Sequence, residues 1–195
     1  MLDTTWPFEG LTPGAYRVLL VDPPWRFRLY SEKGENKSPQ NHYSCMTMDD
    51  IARLPVGALA HPEGCALMMW ATAPMLPDAV RVMDAWGFTY KSAGAWAKRS
   101  KTGAAWAFGT GYCFRSAAEF FLLGTRGRPA QMVRNVRNLI VAPVREHSRK
   151  PDDMHVMCEA LWEGPRAELF ARETKPDWDV WGNQTDLFAK EKSYE

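Results

Sequence analysis

Apolar residues along this chain fall into short continuous runs and longer periodic stretches, separated by polar segments. Val18-Leu19-Leu20-Val21, Ala66-Leu67-Met68-Met69-Trp70 and Leu139-Ile140-Val141-Ala142 are continuous runs of strand length. Such runs predict strands buried on both faces, the signature of a parallel sheet. Residues 88–98, 118–124, 166–171 and 179–182 read as further strands. Helical spacing appears between them. Leu76, Ala79, Val80, Met83 and Trp86 recur at the period of a helix that Pro74 opens and Gly87 stops. Met154, Met157, Cys158 and Leu161 line one face of a helix begun at Pro151. Thr47, followed by Asp50 at the third helical position, caps a short helix running to about Leu54. Residues 26–44 are polar and without apolar period, so they read as a long loop of the lid or binding kind. Residues 126–137 read as basic and irregular. Strands alternating with helices predict an α/β fold with a mostly parallel sheet. The 195 residues suit a single domain with a substantial core.

One polar element changes this picture. Asp22-Pro23-Pro24-Trp25 directly follows the first apolar run. The carboxylate therefore sits at the C-terminal tip of a strand, where open α/β sheets place their ligands. Two prolines stiffen the turn and donate no backbone hydrogen bonds, which leaves the Pro23 carbonyl as an acceptor. Trp25 adds a flat face for a base. Together these parts suit an exocyclic amine on a nucleobase. The plainer alternative is an ordinary turn with Trp25 in the core.

Charge is divided unevenly. Residues 1–90 carry a net −3, residues 91–150 a net +10 and residues 151–195 a net −6. The basic block contains Trp96, Trp106, Phe108, Tyr112 and Phe114, a mixture that suits a polyanion with stackable bases. The alternative is a solvated basic face balanced by acidic helices. Cys45, Cys65, Cys113 and Cys158 lie far apart, as do the four histidines. That spacing argues against a metal site or a disulfide framework and fits a reducing cytoplasm. No apolar stretch has the length of a membrane span, and the N-terminus lacks a signal-peptide pattern. Neither a dinucleotide glycine fingerprint nor a P-loop occurs, so a phosphate-anchored cofactor is not expected.

The order of motifs resembles the MT-A70 family of adenine N6-methyltransferases. Asp22-Pro23-Pro24-Trp25 is followed by Tyr43 and Met46, Leu67-Met68-Met69-Trp70, Trp86-Gly87-Phe88, Trp96-x-Lys98 and Glu119. Ser148-Arg149-Lys150-Pro151-Asp152, Glu168-Leu169-Phe170-Ala171-Arg172, Pro176-x-Trp178 and Gly182-Asn183-Gln184 complete the series. The resemblance implies a Rossmann-like class I methyltransferase fold with permuted strand order, the catalytic strand preceding the cofactor strand. It implies S-adenosylmethionine as cofactor, and no metal. It also implies that Asp22, Pro23, Pro24 and Trp25 carry catalysis, with Trp25 or Tyr43 stacking on the substrate base. Tyr43 would belong to a gate loop, or else anchor that loop. The implied cofactor contacts are Lys150 to the methionine carboxylate, with Asp22, Glu168, Leu169, Arg172, Asn183 and Gln184 nearby. Pro7 and Phe8 would wall the cofactor adenine, and the extra Arg149 would meet substrate phosphate. The short segment 172–178 is similar to the compact bacterial or phage branch, which makes DNA the expected partner and RNA the alternative. An inactive nucleic-acid-binding partner subunit is a third reading. A homodimer or a partner subunit would then complete recognition, in the cytoplasm of a bacterium or an infected host.

Overall fold

The computed structural model describes residues 6–25, 46–111, 113–146, 149–183 and 185. Seven strands form one sheet: β1 (Val18–Val21), β2 (Gly64–Ala71), β3 (Thr89–Arg99), β4 (Ala118–Gly127), β5 (Leu139–Pro143), β6 (Arg166–Leu169) and β7 (Asp179–Trp181). Their spatial order is β5-β3-β4-β2-β1-β6-β7. Strand β1 lies between β2 and β6, parallel to both, with Val21 opposite Met69 and Leu169. Strands β6 and β7 are parallel, as are β3 and β5. Strand β4 alone is reversed, pairing antiparallel with β2 and with β3. The sheet is thus mostly parallel and Rossmann-like, with the Asp22 strand earlier in sequence than β6.

Burial explains two of the three continuous apolar runs; the third, β5, is an edge strand buried on one face only, with Leu139 and Val141 each 54% exposed. Every residue of β1 and β2 is buried. Leu19 and Val21 face one core cluster, whereas Val18 and Leu20 face another, so the alternation of a strand feeds two apolar layers. Helices α1 (Met48–Arg53) and α2 (Leu76–Ala85) pack on the first layer through Ile51, Ala79, Val82 and Met83. Helix α3 (Asp153–Leu161) packs on the second through Met154, Cys158 and Leu161.

Local signals behave as their chemistry dictates. The Thr47 hydroxyl accepts from Asp50 N at 3.2 Å and caps α1. Gly87 ends α2 at φ +79°, and Phe88 N reaches back to Met83 O at 3.0 Å. That left-handed turn is the conformation for which glycine is suited. Two details differ from the periodic reading. Pro74 lies in a 3₁₀ turn, Ala73–Met75, ahead of α2, and Val80 is turned to solvent. The reversal of β4 follows from its link to β3: the described residues between them, 100–111 and 113–117, start and end at one edge, where Lys98 N donates to Ala117 O.

Candidate active site

The C-terminal tips of β1, β2, β3, β6 and β7 and the start of β4 meet at one edge of the sheet. Asp22 is the first residue beyond β1. Its N–H donates to Leu169 O at 3.4 Å, which ties the tip of β1 to that of β6. Its carboxylate receives Lys150 Nζ at 3.0 Å on Oδ2. The same ammonium reaches Glu119 Oε1 at 2.9 Å, and Lys98 Nζ reaches Glu119 Oε2 at 2.8 Å. Four charges therefore form a chain from β1 through the loop before α3 to β4 and β3. Lys150 also lies 5.6 Å from the centroid of the Trp70 ring, and Lys98 lies 4.8 Å from that of Trp96.

The chain is largely withdrawn from water. Side-chain exposure is 16% for Lys150 and 10% for Glu119. Burial opposes ionisation of Glu119, but the flanking ammonium groups outweigh it and hold the carboxyl near 2, from an ordinary 4.5. Burial likewise opposes charge on Lys150, and Asp22 with Glu119 outweighs it, raising this lysine above its usual range. Each charge is maintained by its neighbours. An ammonium carries three N–H donors, and these two ion pairs occupy two of them.

A second set of ions fixes the loop that presents Lys150. Arg145 donates to the Lys150 carbonyl and forks onto Asp152 at 3.0 and 3.1 Å. Lys175 Nζ meets Asp152 at 2.8 Å and Glu173 at 3.2 Å. Arg149 grips Glu173 through Nε at 3.1 Å and Nη2 at 2.5 Å. Burial acts against Asp152 and Glu173, yet these cations pull both carboxyls below their ordinary values. The loops before α3 and after β6 are thereby locked together.

The tetrapeptide needs two corrections. Trp25 is 5% exposed, and its indole N–H donates to Trp70 O at 3.1 Å. Its ring belongs to the core and offers no stacking face. The Pro23 carbonyl is not vacant, since it accepts Trp25 N at 2.8 Å and keeps one lone pair for another donor. Pro24 O accepts from Met46 N at 3.1 Å, which fixes the far side of the turn. Phe8 is another correction. It is fully buried, edge-on to Trp6 and Trp181, and so anchors the N-terminal segment onto β7 instead of walling a pocket. Arg149 is engaged with Glu173 and does not stand out towards a phosphate.

Other expected site residues are dispersed around the same edge. Leu169 is fully buried, so its backbone alone reaches the tip. The Glu168 carboxylate meets His155 Nε2 of α3 at 2.8 Å. Arg172 is half-buried on the loop after β6, and Asn183 is exposed just after β7. These two loops touch: Ala171 N donates to Trp181 O at 3.0 Å, and a Cβ on Gly182 would sit 2.5 Å from Ala171 O. Gly182 thus permits the close approach that puts Asn183 beside Arg172's loop. Pro7 is exposed. Tyr43 and Gln184 lie outside the described residues. Glu119 and Lys98 are the members whose connection to Asp22 sequence reading missed. Their side chains meet only because β4 reverses and brings its start to the tip edge.

A separate cleft of about 410 Å³ opens between Arg17, Gly64, Pro129, Met132, Trp162 and Glu163. Gly64 starts β2, so this cleft lies at the opposite edge from Asp22. Ligands of open α/β sheets bind beyond the carboxyl ends of the strands, which favours the Asp22 edge.

The mostly parallel sheet, with an ion-paired acidic residue at the tip of β1, is consistent with a Rossmann-like methyltransferase fold. Residues 16–184 match the MT-A70 family, and the chain belongs to it. It is 32% identical to a protein of Medicago truncatula described as a putative N(6)-adenosine-methyltransferase MT-A70-like, over 88% of this chain and 26% of that protein. It is 28% identical to the type II methyltransferase M.MunI of Mycoplasma sp, over 90% of this chain and 80% of that protein. The human N(6)-adenosine-methyltransferase catalytic subunit METTL3 is 29% identical over 89% of this chain and 29% of its own length. The chain thus spans under a third of the two N(6)-adenosine relatives but most of the type II enzyme. Among the described residues, no helix is long and apolar enough to cross a membrane.

Proposed function

We propose that this chain transfers the methyl group of S-adenosylmethionine to N6 of adenine in DNA. The observation that carries the reading is the Asp22 carboxylate, fixed by Lys150 at the tip of a fully buried strand. The amine of adenine is a weak nucleophile because its lone pair is delocalised into the ring. Asp22 accepts one amine hydrogen, and the remaining lone pair of the Pro23 carbonyl accepts the other. Two fixed acceptors favour the positive charge that grows on the nitrogen, and so stabilise the transition state more than the bound substrate. The buried Trp25 and the two prolines hold these acceptors still, which supplies orientation.

S-adenosylmethionine is the cofactor general to this family, and when bound it supplies an electrophilic methyl group on sulfonium. The donor set fits it. The amino-acid end carries a carboxylate and an ammonium, and this edge offers Lys150 beside Asp22. The ribose and adenine need groups that both donate and accept. Asn183 supplies an amide that does both, and Arg172 a guanidinium that only donates, on adjoining loops. Lys150 would hold the carboxylate with its third donor, and the Leu169 backbone would line the same edge.

DNA is favoured because the chain matches a compact type II methyltransferase over most of that protein's length. RNA is the second reading, supported by relatives named N(6)-adenosine-methyltransferases. The deciding experiment supplies methyl-labelled S-adenosylmethionine with matched DNA and RNA oligonucleotides, then digests them to nucleosides. Label in N6-methyldeoxyadenosine supports the proposal. Label only in N6-methyladenosine moves the substrate to RNA, and label in neither removes the activity.

A further inference from the structure

The excursion between β3 and β4 rises from the active-site edge and carries two phenylalanine rings that the described residues leave exposed. Its base is ordered. Lys98 N donates to Ala117 O at 2.9 Å, and Ala107 N donates to Lys98 O at 2.9 Å. Arg99 donates to Gly103 O at 3.0 and 2.8 Å, and its guanidinium lies 4.4 Å from the centroid of Trp106. Gly109 N donates to Ser116 O at 2.7 Å and closes the outer turn. Flanking that closure, Phe108 is 72% exposed and Phe114 is 87% exposed. Phenylalanine has no polar atom to gain from such exposure, and two such rings stand on the one excursion beside the active-site edge.

Position and charge identify what these rings meet. The excursion is rooted at Lys98, whose ammonium belongs to the ion chain that ends on Asp22. Cations accompany the rings: Arg115 is exposed at the same turn, and Arg99 lies at its base. Exposed aromatic faces set among cations suit bases in an unpaired strand, whose π-faces are open. A paired duplex hides those faces within its stack.

We propose that Phe108 and Phe114 stack on unpaired nucleobases flanking the target adenine, and so make the enzyme prefer an unpaired stretch around its target. This rests on the nucleic-acid reading above and goes beyond it, because it specifies the state of the strand and the residues that sense it. Trp106, covered by Arg99, stiffens the base of the turn.

The test measures affinity by fluorescence anisotropy, with S-adenosylhomocysteine present, for three probes. They are a single-stranded DNA oligonucleotide with one adenine, its fully paired duplex, and the single strand with abasic sites beside the adenine. Wild type binds the single strand more tightly than the duplex. F108A/F114A loses about tenfold or more on the single strand. It loses little on the duplex or on the abasic strand, and its salt slope stays that of wild type because no charge was removed. F108W/F114W restores the preference. Equal loss on all three probes, undiminished single-strand binding by F108A/F114A, or absence of oligonucleotide binding by wild type each overturns the proposal. So does a change from dimer to monomer on sedimentation with affinity intact, which would make the rings a contact between copies. Methyl transfer by wild type on the same probes is scored separately. Ring-dependent binding without transfer would leave the stacking proposal standing and remove the proposed activity.

Discussion

Two groups of cations share the basic segment of this chain, residues 91–150, and do opposite work. Lys98, Lys150, Arg145 and Arg149 are drawn into the fold, each with a carboxylate at 2.5 to 3.0 Å. Arg115, Arg128, Arg134 and Arg137 stand exposed beyond β3 or after β4. The first group shapes the edge where chemistry is expected. The second remains at the surface as the part able to meet a polyanion. A net charge of +10 over residues 91–150 therefore overstates the surface available to nucleic acid. Sequence counts charge, whereas burial and pairing decide what each charge does.

The sharpest way to break this comparison is to remove one member of the buried set. Glu119→Ala leaves Lys98 without its carboxylate and Lys150 with Asp22 alone. It should cost about 3 kcal/mol of stability, read as a lower urea midpoint, because an uncompensated buried charge remains. Arg134→Ala should change the same midpoint by no more than about 0.5 kcal/mol. Equal effects would erase the distinction. Lys150→Ala comes next. It should weaken S-adenosylmethionine binding by about 1.5–3 kcal/mol, the scale of a charged hydrogen bond, measured by calorimetry without substrate. An unchanged constant would confine Lys150 to a structural role.

Acid sharpens the comparison further. The Glu119 carboxyl is lowered from 4.5 to about 2, so its contribution is complete above pH 4.5 and is lost as pH falls towards 2. Asp152 and Glu173 are lowered as well and add to the same acid loss. Lys150 is raised, so its share holds below its ordinary 10.5 and disappears above that value. Thermal midpoints should be level from about pH 5 to pH 10 and should fall on both sides. Glu119→Gln should reduce the acid fall. An unaltered acid limb would show that this carboxylate is not held by its lysines. The smallest expected effect belongs to the exposed set. Neutralising Arg128, Arg134 and Arg137 together should flatten the salt dependence of duplex binding by about 0.9 for each phosphate no longer neutralised. Cofactor affinity should not move. A retained slope would return these arginines to a merely solvated face.

What was legible in sequence was whatever burial writes as a continuous run. Strands β1 and β2 are covered on both faces, so every position is apolar and Asp22 could be placed at a strand tip. The Thr47 cap and the Gly87 stop were also readable, because each is set by local backbone chemistry. The direction of β4 was not, since an apolar run has the same composition whichever way it points. The joining of Asp22, Lys150, Glu119 and Lys98 depends on that direction and was hidden with it. Trp25 was undecidable for a different reason. An indole suits a core or a stacking site equally well, and the deciding partner is the carbonyl of Trp70, distant in sequence.

Asp22→Asn tests the central claim most directly, because it keeps the shape of the strand tip and removes the carboxylate. Wild type and variant are compared with labelled S-adenosylmethionine and one adenine-containing oligonucleotide, and N6-methyladenine is quantified in the digest. Cofactor affinity should stay within about tenfold, while the rate of methyl transfer should fall by about a hundredfold or more, the scale set by removing one group that stabilises the transition state. Transfer by Asp22→Asn at the wild-type rate would show that the chemistry does not occur at this tip.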